Sequence, residues 1–213
     1  MFKINKVEIL IMVLLVIYSI LAISLYPAMP EIIATHWNAQ GVADGFSSKF
    51  WGVTILPIFF IILLAVFAMF SRTEYFDNKD MKNQLNMTII MTMVFLFYVS
   101  ILSLIYNVGI KFNMSYFIIP ATAALFIALG IILRGIKQRN PFFGIRTPWT
   151  LLNQEVWEKT HKLGGWLFII LGIVTLTAVF YLQYFTIIFF IAIIAVLLIT
   201  FIYSYIIYKK KKK

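Results

Sequence analysis

The sequence predicts an all-α, polytopic integral membrane protein with six transmembrane helices and a cytoplasmic interfacial amphipathic helix. Three observations carry this. Of 213 residues, 62% are hydrophobic and only 12% are charged, against about 25% charged in ordinary soluble domains. The apolar residues fall in runs long enough to cross a hydrocarbon core of about 30 Å. The basic residues sit at the ends of those runs and in alternate loops, so that they gather on one side of the membrane, as the positive-inside rule requires.

The first run, Val7–Leu25, follows Lys3 and Lys6 and ends in Tyr26-Pro27. It is longer than the apolar core of a signal peptide and no small-x-small cleavage pattern closes it, so it reads as a retained span. Phe50–Phe70, Met87–Val108 and Tyr116–Leu133 are three more. Pro57 lies inside the second, where it removes a backbone donor and is expected to kink the helix. Ala121, Ala124, Ala128 and Gly130 give the fourth span small residues that permit close helix approach. Gly164–Tyr208 contains no formal charge. As one helix it would reach about 66 Å, twice the hydrocarbon thickness, so it is expected to be a tight hairpin broken at Gln183-Tyr184.

Placing the N-terminus in the cytoplasm puts both termini inside, along with Lys3, Lys6, Arg72, Lys79, Lys82, Arg134, Lys137, Arg139, Arg146, Lys159, Lys162 and Lys209 to Lys213. Sixteen of the 18 basic residues are then inside, leaving Lys49 and Lys111 outside. The expected domains are residues 1–110, with three spans and an outer loop, and residues 111–213, with three spans and an inner loop.

Several functions lose ground on chemistry alone. The chain has no cysteine, so disulfides, thiolate metal sites and cysteine nucleophiles are ruled out. Its net charge of +10 follows membrane topology, not a nucleic-acid-binding face. No acid or base lies within a span; Glu8, the nearest, sits at an interface. Ion-coupled pumps use such a group at membrane depth. The two histidines, His36 and His161, fall on opposite sides of the membrane and cannot share a metal ion. No metalloprotease or serine-hydrolase motif is present. Arg146, Glu155 and His161 form the one grouping from which an acid–base site could be built. No catalytic residue, metal or cofactor is expected.

Two polar segments are longer than connections require. The outer one, Tyr26–Lys49, holds Thr35-His36-Trp37-Asn38-Ala39-Gln40-Gly41 and then Asp44-Gly45. Gly41 and Gly45 can supply the positive φ of tight turns, and Trp37 suits a membrane edge. His36, Trp37, Asn38 and Asp44 are candidate ligand-binding residues. The plainer reading is a membrane-edge loop with turn glycines and an aromatic anchor.

The inner segment, Arg134–Gly165, contains Arg139-Asn140-Pro141-Phe142-Phe143-Gly144-Ile145-Arg146-Thr147-Pro148-Trp149-Thr150. Thr147-Pro148 reads as a helix cap and first residue. The expected helix runs from Pro148 to about Lys162. Trp149, Leu152, Val156, Trp157 and Leu163 project onto one arc, with Gln154, Glu155, Glu158, His161 and Lys162 opposite; it should lie in the inner interface. Glu155/Lys159 and Glu158/Lys162 are favourable i,i+4 pairs. Asn153 and Thr160 fall on the apolar arc and should find polar partners in the protein. Arg139 and Arg146 bracket the turn and can hold a carboxylate, a phosphate or a lipid headgroup; positive-inside anchoring is the plainer explanation of both.

The stretch Asn140–Asn153, with Val156-Trp157, Thr160-His161 and Gly164-Gly165, resembles the signature of SdpI-type membrane proteins. The outer loop, with His36-Trp37-Asn38, Gly41 and Asp44-Gly45, is similar to an N-terminal membrane domain of unknown function often joined to it. The resemblance implies immunity to a secreted, membrane-active peptide toxin. It also implies signalling, in which the protein draws a transcriptional repressor to the membrane. The implied partners are membrane lipids, the peptide outside and the repressor inside, with no direct contact to nucleic acid. The resemblance makes Arg146, Thr147, Pro148, Trp149, Asn153, Trp157 and His161 conspicuous positions of unknown role; the candidate ligand- or partner-binding residues of the inner segment are Arg139, Asn140, Arg146, Thr147, Trp149, Asn153, Trp157, Thr160 and His161. A transporter or flippase for a lipid or small amphiphile is the competing expectation.

Overall fold

A computed structural model describes residues 5–73, 78–140 and 143–211. Lys3, Pro141, Phe142, Lys212 and Lys213, used in the sequence reading, lie outside the described residues. The long helices are α1 (Lys6–Leu25), α2 (Lys49–Phe70), α3 (Lys79–Asn107), α4 (Ser115–Arg134), α6 (Gln154–Thr177) and α7 (Phe185–Lys211). A five-residue helix, α5 (Pro148–Leu152), precedes α6. Two strands, β1 (Ile32–Trp37) and β2 (Ala43–Ser48), lie between α1 and α2. The long helices are apolar enough to cross a membrane, and the protein is a multi-pass membrane protein of the all-α class.

Side-chain exposure follows from this setting. Ile23 (74%) on α1 and Ile191 (63%) on α7 are open, because a spanning helix turns such residues to lipid and buries little within the protein. The contacts divide the chain into two units, Met1–Thr73 with Ile89–Ile118 and Glu74–Thr88 with Ile119–Lys213.

In the first unit, Asn5 caps α1: Glu8 N–H donates to its Oδ1 at 2.9 Å, and Asn5 N–H donates to the Glu8 carboxylate at 3.0 Å. This reciprocal arrangement satisfies two end-of-helix donors. Glu8 is buried, and Arg72 just beyond α2 reaches its carboxylate at 2.9 Å. The acid read as an interface residue is therefore enclosed and paired. Between the helices, Tyr18, Ala22, Met29, Ile33, Val53 and Leu104 form an apolar core. The helix α2 continues through Pro57.

In the second unit, α4 and α6 approach closely at glycines. A Cβ on Gly130 would lie 2.6 Å from the Gly165 carbonyl, and one on Gly172 would lie 2.7 Å from the Ala123 carbonyl. Of the small residues expected on α4, Gly130 meets this contact; Ala124 is exposed. The uncharged C-terminal stretch is a hairpin, as its length demanded. Its break is at Tyr181 (φ −134°, ψ 53°), inside a 3-10 segment Ala178–Tyr184, slightly ahead of the expected Gln183-Tyr184. Lys211 at the end of α7 pairs with Glu155 at the start of α6, so the two helices run antiparallel.

The helix expected over Pro148–Lys162 is interrupted. Asn153 is extended (φ −137°, ψ 126°), and its side-chain oxygen accepts from Glu155 N–H at 2.9 Å and Val156 N–H at 3.1 Å. An asparagine side chain that takes up these donors starts a new helix in place of continuing the old one. Residues 154–162 are thus the first turns of a long helix that continues into the apolar span, not a separate interfacial helix.

Candidate functional site

Two constructions hold the predicted site residues, one in each unit.

In the first unit, the segment read as a loop is an antiparallel hairpin with Ile33 opposite Ser47, His36 opposite Gly45 and Trp37 opposite Ala43; its register shifts around His36. Asn38 builds the turn. Its Oδ1 accepts from Gln40 N–H at 3.0 Å and Val42 N–H at 3.1 Å, and Gly41 takes the left-handed φ of 77° that a side chain would resist. Gly45 has a different job from the one expected: its φ is not positive, and a Cβ there would lie 2.7 Å from His36 Cβ. Without that side chain, His36 can pass over the strand and place Nδ1 2.6 Å from Asp44 Oδ1. Both side chains are solvent-accessible, at 71% and 44%. Trp37 packs edge-on against Tyr106, with ring centroids 5.3 Å apart.

The hairpin is held by residues that the sequence reading missed. Asn107 at the end of α3 accepts from Ala34 N–H and donates to Ala34 C=O, each at 2.9 Å. One side-chain amide thereby does for β1 what a neighbouring strand would do. Asn113 donates to Gln40 C=O at 2.8 Å, and Ser115 Oγ donates to Ala39 C=O at 2.9 Å. Lys49, expected as a plain outer charge, is buried. Its Nζ donates to Met29 C=O at 3.0 Å and lies 4.4 Å above the Tyr26 ring. A lone asparagine closing an apolar span was the one available signal for Asn107.

In the second unit, His161 is the centre. It projects onto the polar arc in the sequence but is fully buried, because the chain from Gly144 to Thr147 folds over that side of α6. Ile145 N–H donates to His161 Nε2 at 2.9 Å, and Nδ1 lies 2.8 Å from Trp157 C=O. A ring that accepts at Nε2 must donate at Nδ1, which fixes the neutral Nδ1–H tautomer. Gly144 (φ 107°) abuts His161 Nε2. Trp157 stacks on the imidazole at 4.0 Å and donates from Nε1 to Ile136 C=O at 3.2 Å.

Thr147 caps α5 as expected, in a reciprocal pair with Thr150: Thr150 N–H donates to Thr147 Oγ1 at 3.2 Å and Thr147 N–H to Thr150 Oγ1 at 2.9 Å. Thr147 Oγ1 also meets Ser204 Oγ of α7 at 3.1 Å. Trp149 packs between Phe201 and Tyr205 of α7, at 4.9 and 5.0 Å. Asn140 is buried and its Oδ1 accepts from Phe143 N–H at 2.8 Å. Arg139 donates from Nη1 to Leu151 C=O, at the end of α5, at 3.0 Å. Arg146 is exposed.

Two expectations about polar partners part company. Asn153 finds its partners in the backbone, whereas the buried Thr160 hydroxyl has none among the described residues. Glu155 does meet Lys159, at 2.7 Å. Glu158 instead accepts from Gln154 Nε2 at 2.7 Å. An acid–base trio of Arg146, Glu155 and His161 is not supported: Glu155 is held by Lys159 and Lys211, and both His161 nitrogens are engaged. Among the described residues no group of three or more His, Asp or Glu side chains is placed to hold a metal ion.

Residues 137–206 match the SdpI/YfhL protein family, so the match covers the site around His161. Over that span the chain is SdpI/YfhL-like. Residues 10–61, which include the hairpin, match a domain of unknown function, DUF1648. The immunity protein SdpI of Bacillus subtilis is 26% identical over 209 residues, covering 98% of this chain and 97% of that protein. No solved structure matches. The SdpI/YfhL match gives the buried knot its context: its signature residues cap helices, satisfy carbonyls and stack rings, which are structural tasks.

Proposed function

We propose that this membrane protein confers immunity to a secreted, membrane-active peptide, and that it also draws a cytoplasmic repressor to the membrane. The observation that carries the reading is the co-linear similarity to an immunity protein across nearly all of both chains. Similarity confined to one unit would support much less, since a fold alone does not fix a function.

The hairpin supplies a surface suited to a hydrophobic peptide. Ile32, Val42 and Phe46 are 59–60% exposed on the hairpin that carries the His36–Asp44 pair, whose strand β1 is held by Asn107 and whose turn is held by Asn113 and Ser115. A rigid surface loses less conformational entropy on binding. The protein acts by binding, without chemistry of its own. A ligand that favours one arrangement of the helices over another would shift the population seen by the repressor.

The test is survival. Toxin-sensitive Bacillus subtilis cells lacking their own immunity protein are given this gene or an empty vector, then challenged with the peptide. Protection supports the reading, and killing equal to the vector control despite membrane expression overturns it. Recruitment is read separately, by whether a fluorescent repressor moves to the membrane when peptide is added.

A further inference from the structure

The second unit has a polar cleft of about 480 Å³ bordered by Gln138, Arg139, Asn140, Leu151 and Gln154. The segment that leads from α4 into this cleft is well fixed for an irregular one. Three successive carbonyls after α4 are taken by side-chain donors: Gly135 by Gln84, Ile136 by Trp157 and Lys137 by Gln154. Such capping removes the main source of looseness in a loop, which is unpaired backbone.

Arg139 is held by the same framework. One of its five N–H donors goes to Leu151 C=O, which orients the planar guanidinium and leaves donors for a second acceptor. Among the described residues no carboxylate forms an ion pair with Arg139. Gln138 stands beside it with no hydrogen bond among the described residues, and it also borders a second cleft that contains both Lys137 and Asp80. Of the two acids at the start of α6, Glu155 is paired with Lys159 and Lys211 and Glu158 is bonded to Gln154. The cleft therefore presents an oriented cation, a free amide and a neighbouring lysine, with Leu151 as an apolar wall. Leu152, next in the chain, is 65% exposed.

We propose that this cleft binds a phosphate-type anion, with Arg139 as its main contact and Gln138 as a second donor. Arginine matches two oxygens of a phosphate at once, and a guanidinium already fixed by Leu151 needs little reordering to do so. The shared chemistry is a phosphoryl oxygen pair; its source is a phospholipid headgroup, favoured by the apolar wall, or a free phosphate. The site is independent of toxin recognition, and its failure would leave the immunity reading untouched.

The experiment uses the full chain in detergent. Short-chain phosphatidylglycerol, inorganic phosphate and a neutral short-chain diacylglycerol are titrated separately by calorimetry. Saturable one-to-one binding of phosphatidylglycerol without diacylglycerol binding is expected, and competition by inorganic phosphate would identify the free ion as a ligand too. Arg139→Gln should weaken binding about tenfold or more, the loss expected for a charge-assisted hydrogen bond. Because Arg139 also holds Leu151, Gln138→Glu serves as a second variant: it leaves every described hydrogen bond in place and sets a carboxylate against the anion. Its thermal melting should match the wild type while its affinity falls. Absence of saturable binding by both phosphatidylglycerol and phosphate, or wild-type affinity in Gln138→Glu, would overturn the proposal.

Discussion

The Tyr18 hydroxyl donates to the Val53 carbonyl at 3.1 Å, and Val53 is the residue whose helical partner would have been the N–H of residue 57. That residue is proline, so α2 has one free carbonyl at this level, and α1 supplies the missing donor. A carbonyl facing hydrocarbon without a partner is costly, which gives the buried tyrosine a specific task in joining the two helices. Tyr18→Phe should destabilise the protein by about 1–2 kcal/mol, measured by unfolding in mixed micelles. In a Pro57→Ala background the helical N–H returns, and the same substitution should cost distinctly less. An equal loss in both backgrounds would mean that the hydroxyl acts elsewhere.

Asn107 and Ala34 form a second long-range pair, in which one amide satisfies both polar groups of a strand residue. Asn107→Leu leaves two buried backbone groups unpaired and should cost about 2–4 kcal/mol. Asn107→Asp retains an acceptor for Ala34 N–H but turns an oxygen toward Ala34 C=O, so it should also destabilise. Hydrogen exchange at the Ala34 amide is the direct readout. Protection should drop by about tenfold for each 1.4 kcal/mol lost, and unchanged protection in Asn107→Leu would refute the role.

His161 and Gly144 are coupled through contact. His161→Phe keeps a ring against Trp157 but removes the acceptor of Ile145 N–H, at an expected cost of about 1–3 kcal/mol. Gly144→Ala adds a Cβ at φ 107° and against Nε2, and strain in that region costs about 1–3 kcal/mol by itself. Combined with His161→Ala, the steric part is relieved and the backbone part remains. Thermal unfolding of the double variant should therefore show a loss smaller than the sum of the two singles. Simple additivity would place the strain wholly in the backbone.

The spans were legible because lipid imposes a long, one-signed pattern on the sequence: α1, α2 and α4 begin and end within a residue or so of the expected runs. The hairpin β1–β2 was not, since its strands are short, pair mainly with each other and are fixed by amides distant in sequence. His161 was misplaced for a related reason. A helical projection sees only the helix's own residues, and a histidine among Gln154, Glu158 and Lys162 looks solvated until the Gly144–Thr147 segment covers it. The Asn153 break could have been seen, because asparagine is a common start residue for helices; the apolar spacing across it concealed the change. Thr147, Trp157 and Asn140 were singled out by resemblance, and the roles they fill depend on Ser204, Ile136 and Phe143, which no local pattern links to them.

Sidedness is the remaining expectation, and the chain is well suited to testing it because it has no cysteine. Val42, at 59% exposure on the hairpin turn, and Lys210, exposed at the end of α7, can each be replaced singly by cysteine without removing a described contact. The basic residues lie so strongly on one side of the spans that the positive-inside rule assigns the lysine-rich end to the cytoplasm. In intact cells a membrane-impermeant maleimide should label Val42→Cys and leave Lys210→Cys unlabelled until the membrane is opened. Labelling of both from outside would require an even number of crossings between them. That would contradict the α6–α7 hairpin as well as the charge assignment, because five crossings, not six, would then separate Lys6 from Lys210.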